Sequence, residues 1–474
     1  MSLRAAISLV FLIAICIWTI RRPLIGVLAN IVLFHINPRA FGAGMEDIRF
    51  QFFASILLLA SFFINIQKIN DENKNKLTPA FYILIAYNVY MYITCSWAVY
   101  SPFYALWQTF DFSKIVLFTY LMVKIVKTDD DFHLLIWTIL ISCFYVGFMG
   151  RWGVEFDWID EDGMGIATGG AGPHLMMFFP QLVLFAVYGS KKEKMAAYFI
   201  MPFVLDYLTV TDDMKRASFV TLMASMGLFV VFTPMRTLIR SFWPMAVGAL
   251  LFIFVLAPPG YFDYMSTIAD PTEESSANSR FVINAASREM LADYPLGVGK
   301  GHYSPMSPQY VPESRLEGRT GMRDSHNTYY KVLCEIGIPG FILWLSVFAL
   351  TWLAFRKIRV AAKKKKQAMT YLEMHTFGFE AAILGIVLPL YTHNMQDLDT
   401  LYWFVGFGVI VTNLYRKNPQ GMIVASVKKQ LEIEEEKRRK RQKLEEQFAK
   451  NRTRGQDGDT PEQPKVAVGT EARV

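Results

Sequence analysis

The chain has 474 residues, of which 53% are hydrophobic and 15% aromatic, and its mean hydropathy is +0.27. These values exclude an ordinary soluble globular protein and indicate an integral membrane protein, so membrane lipid is an expected partner. The net charge of +7 does not indicate nucleic-acid binding, because the basic residues concentrate in a tail and in loops between apolar segments.

Apolar segments of transmembrane length recur along most of the chain, since a spanning helix needs about 20 mostly apolar residues. They predict an all-α integral membrane protein, a bundle of 12 or 13 transmembrane helices. The choice between the two numbers depends on the short first pair, which meets at Arg21-Arg22-Pro23. The predicted spans are residues 4–20, 24–36, 51–67, 79–97, 104–126, 132–150, 174–189, 195–211, 217–233, 241–257, 337–355, 376–394 and 399–415.

Lysine and arginine placement orients these spans, because cytoplasmic loops carry an excess of both. If the spans alternate, the basic segments 124–127, 191–194, 236–240 and 356–366 fall on the same side as the C-terminal tail. Residues 211–216 are the one basic exception. The basic side, which includes the C-terminus, is therefore predicted to be cytoplasmic. The long loop before the last three spans is predicted to be external, which means periplasmic in a Gram-negative cell.

This order of spans and loops predicts four units in the chain. They are N-terminal transmembrane helices (1–257), a mostly helical periplasmic loop subdomain (258–336), C-terminal transmembrane helices (337–415) and a basic cytoplasmic tail (416–474). In the tail, Glu/Lys spacings of three and four predict an exposed helix over 427–450, and Gly, Asp and Pro predict disorder after it. The helix is expected either to rest near anionic lipid or to bind a partner.

The four cysteines give no sign of a metal centre or of a disulfide framework. They lie in or beside separate predicted spans, without Cys-x-x-Cys spacing, as Cys16, Cys95, Cys143 and Cys334. No cluster of His, Asp and Glu has ligand spacing either. We therefore expect packing cysteines, no metal and no cofactor.

A helix is predicted within the long loop over residues 279–292. Arg280, Asn284 and Arg288 recur every four residues and so share one face, with the two guanidinium groups about 12 Å apart. Phe281, Ala285 and residues 290–291 are expected to face the membrane domain. Acidic residues in 271–275 predict the helix start.

Pro295 ends this helix, and the run Gly297-Val298-Gly299-Lys300-Gly301 predicts a turn. A glycine-rich run of this kind either provides a backbone turn or contacts a phosphate. The strand and helix that frame a nucleotide-binding loop are missing from the sequence around it, which favours the turn.

His326 follows in Asp324-Ser325-His326-Asn327. An isolated histidine is usually structural. Here, its place in an external loop, its polar neighbours and a re-entering helix directly after it favour catalysis. His302 and His393 are weaker candidates. Arg216 opens the span 217–233 at its external end, where a cation either meets an anionic ligand or snorkels to lipid headgroups.

Several of these motifs resemble the O-antigen ligase and O-antigen polymerase superfamily of bacterial inner-membrane glycosyltransferases. Arg280 with residues 293–299 is similar to the family's D-x-P-L-x-G-x-G stretch. Residues 326–340 are similar to its HN-x-[YF]-L and E-x-G-x-x-G signature. Arg216-Ala217-Ser218 resembles its S-R-G-[AS] helix start, with Lys215 in place of the serine and Ala217 in place of the glycine. The resemblance covers the motif-bearing residues 200–360. Residues 22–27 and 37–39 also resemble an exosortase-associated O-glycosylation ligase subgroup.

The resemblance implies transfer of a glycan from an undecaprenyl-pyrophosphate carrier to an acceptor hydroxyl at the periplasmic face. It implies no nucleotide sugar, no required metal and inversion at the anomeric carbon. Arginines would hold the pyrophosphate and His326 would be the general base. The implied catalytic residues are His326, Arg280 and Arg216, and the implied substrate-binding residues are Arg288, Asn284, Asp324, Asn327, Lys300 and Tyr330.

Three acceptors remain open. They are lipid A core, as in a lipopolysaccharide ligase, a growing polysaccharide, as in a polymerase, and a protein, as in an O-oligosaccharyltransferase. A rival from another class is a transporter or flippase of lipid-linked glycans. Transporters place ionisable residues near the bilayer midplane, and the candidates here, Asp206 and Glu380, lie near predicted span ends.

Overall fold

The structure is a computed structural model and describes residues 3–36, 50–72, 75–152, 171–209, 216–266, 275–312, 321–364 and 368–456. These residues form helices joined by turns, and no strand occurs among them beyond an isolated bridge between Thr370 and Ile423. The helices are α1 (Leu3–Arg21), α2 (Pro23–His35), α3 (Phe50–Ile64), α4 (Ile66–Glu72), α5 (Pro79–Thr94), α6 (Pro102–Ile125), α7 (Asp129–Arg151), α8 (Ala171–Tyr188), α9 (Lys191–Asp206), α10 (Arg216–Phe232), α11 (Met235–Leu251), α12 (Tyr261–Ser266), α13 (Ser275–Asp293), α14 (Tyr303–Met306), α15 (Thr328–Lys364), α16 (Tyr371–Gly385), α17 (Asp399–Lys417) and α18 (Ala425–Gln456).

This architecture confirms the predicted all-α membrane fold. By length and composition, five described segments can cross a membrane: Asp129–Arg151, Ala171–Tyr188, Met235–Leu256, Thr328–Lys364 and Tyr371–Tyr391. Shorter apolar helices are α2, α3 and α10. Each predicted span overlaps at least one described helix, although the predicted spans 195–211 and 376–394 extend past the ends of α9 and α16. The number of crossings, 12 or 13, stays a prediction. The predicted features at 37–49, 155–162, 211–215, 271–274 and 457–474 lie outside the described residues.

Burial differs sharply between the helices. All of α8 is buried, and it packs against α9, α10 and α16. In contrast, the Met235–Leu256 segment is only 22% buried and exposes large apolar side chains such as Phe254. Apolar side chains exposed in this number are costly in water but favourable in lipid. The helices therefore form a buried centre with a lipid-compatible periphery.

The chain separates into two compact units, Met1–Val424 and Ala425–Val474. The second contains α18, whose described side chains are exposed from Lys428 to Glu446, within the exposed helix predicted over 427–450. The boundaries predicted at residues 257, 336 and 415 stay predictions.

Helix α15 is interrupted at Gly337, which has φ +77° and ψ 177°. Two residues later, Pro339 has no N–H, so the Glu335 carbonyl loses its usual helical partner. The residues after α13 replace the missing bonds. Gly299 N donates to Glu335 O at 2.9 Å, Val298 N donates to Cys334 O at 2.8 Å, and Ile338 N donates to Pro295 O at 2.9 Å. The glycine-rich run and the broken helix therefore complete each other's backbone hydrogen bonds.

Replacing Gly337 with alanine is expected to destabilise the protein by about 3 kcal/mol, because a Cβ would meet the Leu296 backbone and the positive φ disfavours a side chain. Scanning fluorimetry of the detergent-solubilised protein measures the shift in melting temperature. Gly227→Ala in α10 is the control, since its Cβ would meet no atom within 4 Å. Equal melting temperatures for the two variants would contradict this role of Gly337.

Candidate active site

The site forms where α15 begins. Asn327 precedes the helix, and its Oδ1 accepts hydrogen bonds from Tyr329 N at 3.0 Å and Tyr330 N at 3.3 Å. This is the N-cap arrangement that satisfies the free N–H groups of a helix start. Thr328 also donates to His393 O from both its backbone N, at 3.1 Å, and its Oγ1, at 2.6 Å. The start of α15 is thereby tied to the loop between α16 and α17.

His326 lies directly before this cap in a strained backbone conformation. Its φ of +44° is the only positive φ of a non-glycine residue in the described parts of the chain. Such a conformation costs of order 1–3 kcal/mol and tends to be retained at functional sites. The side chain is exposed. The turn therefore presents the imidazole to solvent while its neighbours hold the backbone in place.

Asp324 fixes the other side of the turn. Its Oδ1 accepts from Ser325 N at 2.9 Å and from Lys331 Nζ at 3.3 Å, and its Oδ2 accepts from Asn394 Nδ2. Ser325 Oγ lies 2.8 Å from Asn394 Oδ1. These bonds join the turn to the first turn of α15 and to the α16–α17 loop, so the position of His326 is set by three segments of the chain.

The charges around the turn shift the pKa values of both His326 and Asp324. Although the His326 side chain reaches solvent, the surrounding protein partly desolvates the imidazole and lowers its pKa. Arg280, Lys331 and Arg323 lower this pKa further, while Asp324 raises it. For Asp324, burial favours the neutral acid, but Lys331 and His326 outweigh it and keep its pKa below the ordinary value. At neutral pH the site therefore contains a neutral imidazole beside an ionised carboxylate.

The predicted loop helix is α13, and its Asn284 reaches the turn. Asn327 Nδ2 donates to Asn284 Oδ1 at 3.4 Å. Arg280 lies one turn earlier on the same face, close enough for its charge to lower the pKa of His326, and Arg288, one turn later, is exposed. The buried face of the helix instead carries Ile283, Ala286, Ser287 and Met290.

One expectation about this helix is wrong. Phe281 is 56% exposed rather than packed on the membrane domain. An amphipathic helix buries one face. In α13 the buried face contains Ile283 and Met290, which pack against Val298 and Tyr303, and Phe281 lies outside it.

Arg216 has a different described neighbour. It is the first residue of α10, and its guanidinium lies over the Tyr264 ring at 4.5 Å from the centroid. One turn further along α10, from Phe219 onward, an open apolar depression of about 510 Å³ lies between α10, α12 and Leu388. Its lining residues are Phe219, Val220, Met223, Ala224, Met265, Ser266 and Leu388. The described contacts thus bring Asp324, Asn327, Asn284 and Arg280 to His326, whereas they place Arg216 beside Tyr264, one turn before this depression.

Lys300 is buried in an ion-pair cluster. Its Nζ lies 2.6 Å from Asp397 Oδ2 and 3.5 Å from Glu335 Oε2, and its side chain is 2% exposed. Both ring nitrogens of His302 are also hydrogen-bonded. Its Nδ1 donates to Lys300 O at 2.9 Å, and its Nε2 accepts from Ser101 N at 2.9 Å. The glycine-rich run that carries them is therefore a backbone turn against α15, and these side chains attach it to α6 and to the α16–α17 loop.

Lys300→Met is expected to lower the free energy of unfolding by about 3–5 kcal/mol, because it leaves the buried Glu335 carboxylate without its cation. Thermal unfolding in detergent measures the effect. The double variant Lys300→Met/Glu335→Gln should recover part of the loss, since it removes the fully buried carboxylate and leaves only that of Asp397, whose side chain is 35% exposed. Loss of activity at unchanged stability would instead support the substrate contact predicted from the sequence.

Two site residues, Asn394 and Lys331, were not predicted. Asn394 lies 70 positions from Asp324 along the chain, and the sequence distinguishes it only by its place directly after His393, one of the weaker candidates. Lys331 is one turn into α15 and points back to Asp324. No group of metal-ligating side chains is found around His326 in the described part of the chain.

Comparison with known families agrees with the resemblance. Residues 201–345 match the family model described as O-antigen ligase. The match covers about a third of the chain and includes α10, α13, the glycine-rich run and the His326 turn. No curated protein gives a match. The resemblance to the O-antigen ligase superfamily predicted from the motifs is thereby confirmed over residues 201–345.

Proposed function

We propose a glycosyl-transfer reaction for this protein, supported by the match of residues 201–345 to the O-antigen ligase family model and by the apolar helices long enough to cross a membrane. The protein transfers a glycan from an undecaprenyl-pyrophosphate carrier to an acceptor hydroxyl at the periplasmic face. The observation that carries the proposal is the His326 turn, whose strained backbone presents the imidazole beside Asp324 and close enough to Arg280 for its charge to lower the pKa of His326.

His326 is the general base in this proposal. Its lowered pKa keeps the imidazole neutral at pH 7, so that Nδ1 or Nε2 can accept the proton of the acceptor hydroxyl. The hydroxyl oxygen bonds to the anomeric carbon as the bond from that carbon to the pyrophosphate oxygen breaks, and the electron pair leaves with the pyrophosphate. Direct displacement inverts the anomeric configuration. Asp324 stabilises the imidazolium that forms.

The leaving group requires permanent positive charge, which arginine supplies in bidentate form. Arg280 lies near enough to His326 to lower its pKa, and it would stabilise the charge that develops on the pyrophosphate. Arg216 would contact the far side of the pyrophosphate, with the polyprenyl chain in the apolar depression that begins one turn further along α10. Arg288, Asn284, Asn327 and Tyr330 complete the substrate-facing set, and Lys300 is assigned to structure because it is buried between two carboxylates.

The proposed location is the bacterial inner membrane, with the site facing the periplasm and the C-terminus in the cytoplasm. The support is the positive-inside distribution of Lys and Arg. Lipid A core and a growing polysaccharide are the favoured acceptors, and a protein acceptor is the third. No metal takes part at the reacting atoms in this proposal.

A transporter of lipid-linked glycans is less well supported. Its candidate midplane charges have close partners, since Asp206 lies 3.1 Å from Arg151 and Glu380 pairs with Arg359 and with Trp352 Nε1. Paired charges of this kind hold helices together, whereas a transport pathway needs charges that face a cavity.

The test is the glycan profile of a deletion strain that expresses the wild type or His326→Asn. Lipopolysaccharide, free polysaccharide and the lipid carrier are analysed separately. Loss of one glycan product, with the carrier-linked donor accumulating, would support a transferase and identify the acceptor. An unchanged profile in the variant would overturn the proposed role of His326.

A further inference from the structure

Two histidines and a cysteine meet inside the helix bundle, apart from the residues used above. His35 at the end of α2, Cys143 in α7 and His174 near the start of α8 are each 0% exposed. One ligand atom from each lies within 4.8 Å of the others. No spacing in the sequence indicates this cluster, because its members are separated by 108 and 31 positions and come from three helices.

The hydrogen bonds orient both imidazoles toward the same point. His35 Nδ1 donates to Ile31 O at 2.7 Å, which leaves its Nε2 as a lone pair directed at His174 Nε2, 2.7 Å away. On the other side of the second ring, His174 Nδ1 lies 2.5 Å from Thr400 Oγ1 of α17. Metal-binding histidines characteristically have the second ring nitrogen held by a carbonyl or another polar group in this way.

The Thr400 hydroxyl can hydrogen-bond to His174 Nδ1 whether or not an ion is bound, because a hydroxyl can either donate or accept. Without one, the hydroxyl donates to His174 Nδ1, and His174 Nε2–H donates to His35 Nε2. With one, His174 Nδ1–H donates to the hydroxyl, and both Nε2 lone pairs face the ion. The two Nε2 atoms would then separate to roughly 3.3 Å, the spacing set by Zn–N bonds of about 2.0–2.1 Å in tetrahedral geometry.

Cys143 supplies the third ligand. Its thiol has no hydrogen-bond partner among the described residues, and it loses its proton when a soft metal binds. The aromatic rings of Phe34 and Trp403 lie beside the histidines, with the Trp403 centroid 6.1 Å from His35 and 6.4 Å from His174. A dry site with two imidazoles and one thiolate suits a soft d¹⁰ cation.

We propose that His35, Cys143 and His174 bind one Zn²⁺ or Cu⁺ ion that joins α2, α7 and α8. Binding releases the Cys143 proton and leaves the oxidation state unchanged. The ion would stabilise the bundle and take no part in glycosyl transfer, so the proposal does not depend on the proposed function.

The test measures the metal content of the full-length protein, purified with a tag that contains no histidine and without chelators. Mass spectrometry should find about one Zn or Cu ion per chain in the wild type, and less than about a tenth of that in Cys143→Ser and His174→Gln. Cys95→Ser is the matched control, because Cys95 is another buried cysteine, which bonds to Met91 O and Thr109 Oγ1. It should keep the ion.

Two results would overturn the proposal. One is a metal-free wild type after equilibration with Zn²⁺ and with Cu⁺ under reducing conditions, and the other is equal metal content in Cys143→Ser and the wild type. If the variants fail to fold, Co²⁺ loading of the wild type decides. A thiolate-to-cobalt charge-transfer band supports the site, and its absence contradicts it.

Discussion

His326→Asn is expected to lower the rate of glycan transfer by about 10²–10⁴-fold, the usual contribution of a positioned general base. Asparagine is the appropriate replacement because, like histidine, it tolerates the left-handed backbone that the φ of +44° requires. The variant therefore removes the base and keeps the turn. The rate is measured with purified protein and a lipid-linked glycan donor.

His326→Ala is the companion variant, since alanine lacks both the base and the tolerance of positive φ. His326→Ala should lose as much activity as His326→Asn and should also lose some stability. Comparing the two variants therefore separates loss of the base from strain in the turn. Activity of His326→Asn within threefold of the wild type, at equal melting temperature, would show that the imidazole is not the base.

Arg280→Gln is expected to lower the transfer rate by about 10²–10³-fold, through loss of a charge that stabilises the leaving pyrophosphate. It should also move the pH profile. Arg280 lowers the pKa of His326, so its removal raises that pKa. Because only the neutral imidazole is a base, the fall in rate on acidification should begin at a higher pH than in the wild type.

Asp324→Asn provides the opposite shift. Asp324 raises the pKa of His326, so the neutral amide should lower it, and the acidic fall in rate should begin at a lower pH. Measuring both profiles with one donor gives a paired test. Shifts in the same direction, or no shift in either variant, would contradict the electrostatic account of His326.

Much of the helix arrangement could be predicted from the sequence, because bilayer thickness imposes a fixed length on apolar segments. The span predicted over 217–233 is α10, and the loop helix predicted over 279–292 is α13. The cap at Asn327 was also predictable in kind, since asparagine is a favoured N-cap before a helix.

Contacts between distant segments could not be predicted in this way. Asn394 reaches Asp324 and Lys300 reaches Asp397 only because the α16–α17 loop folds back over the start of α15. The same holds for His35, Cys143 and His174. Hydropathy identifies each helix but not which faces of separate helices meet, and side-chain clusters depend on that choice.

The most direct test of the central claim uses the purified protein, a synthetic polyprenyl-pyrophosphate glycan of known anomeric configuration and a hydroxyl acceptor. Nuclear magnetic resonance determines the linkage of the product, and released polyprenyl pyrophosphate is quantified. We expect equimolar release and a product linkage of inverted configuration. A product of retained configuration, or movement of intact donor across the bilayer without release, would contradict the account.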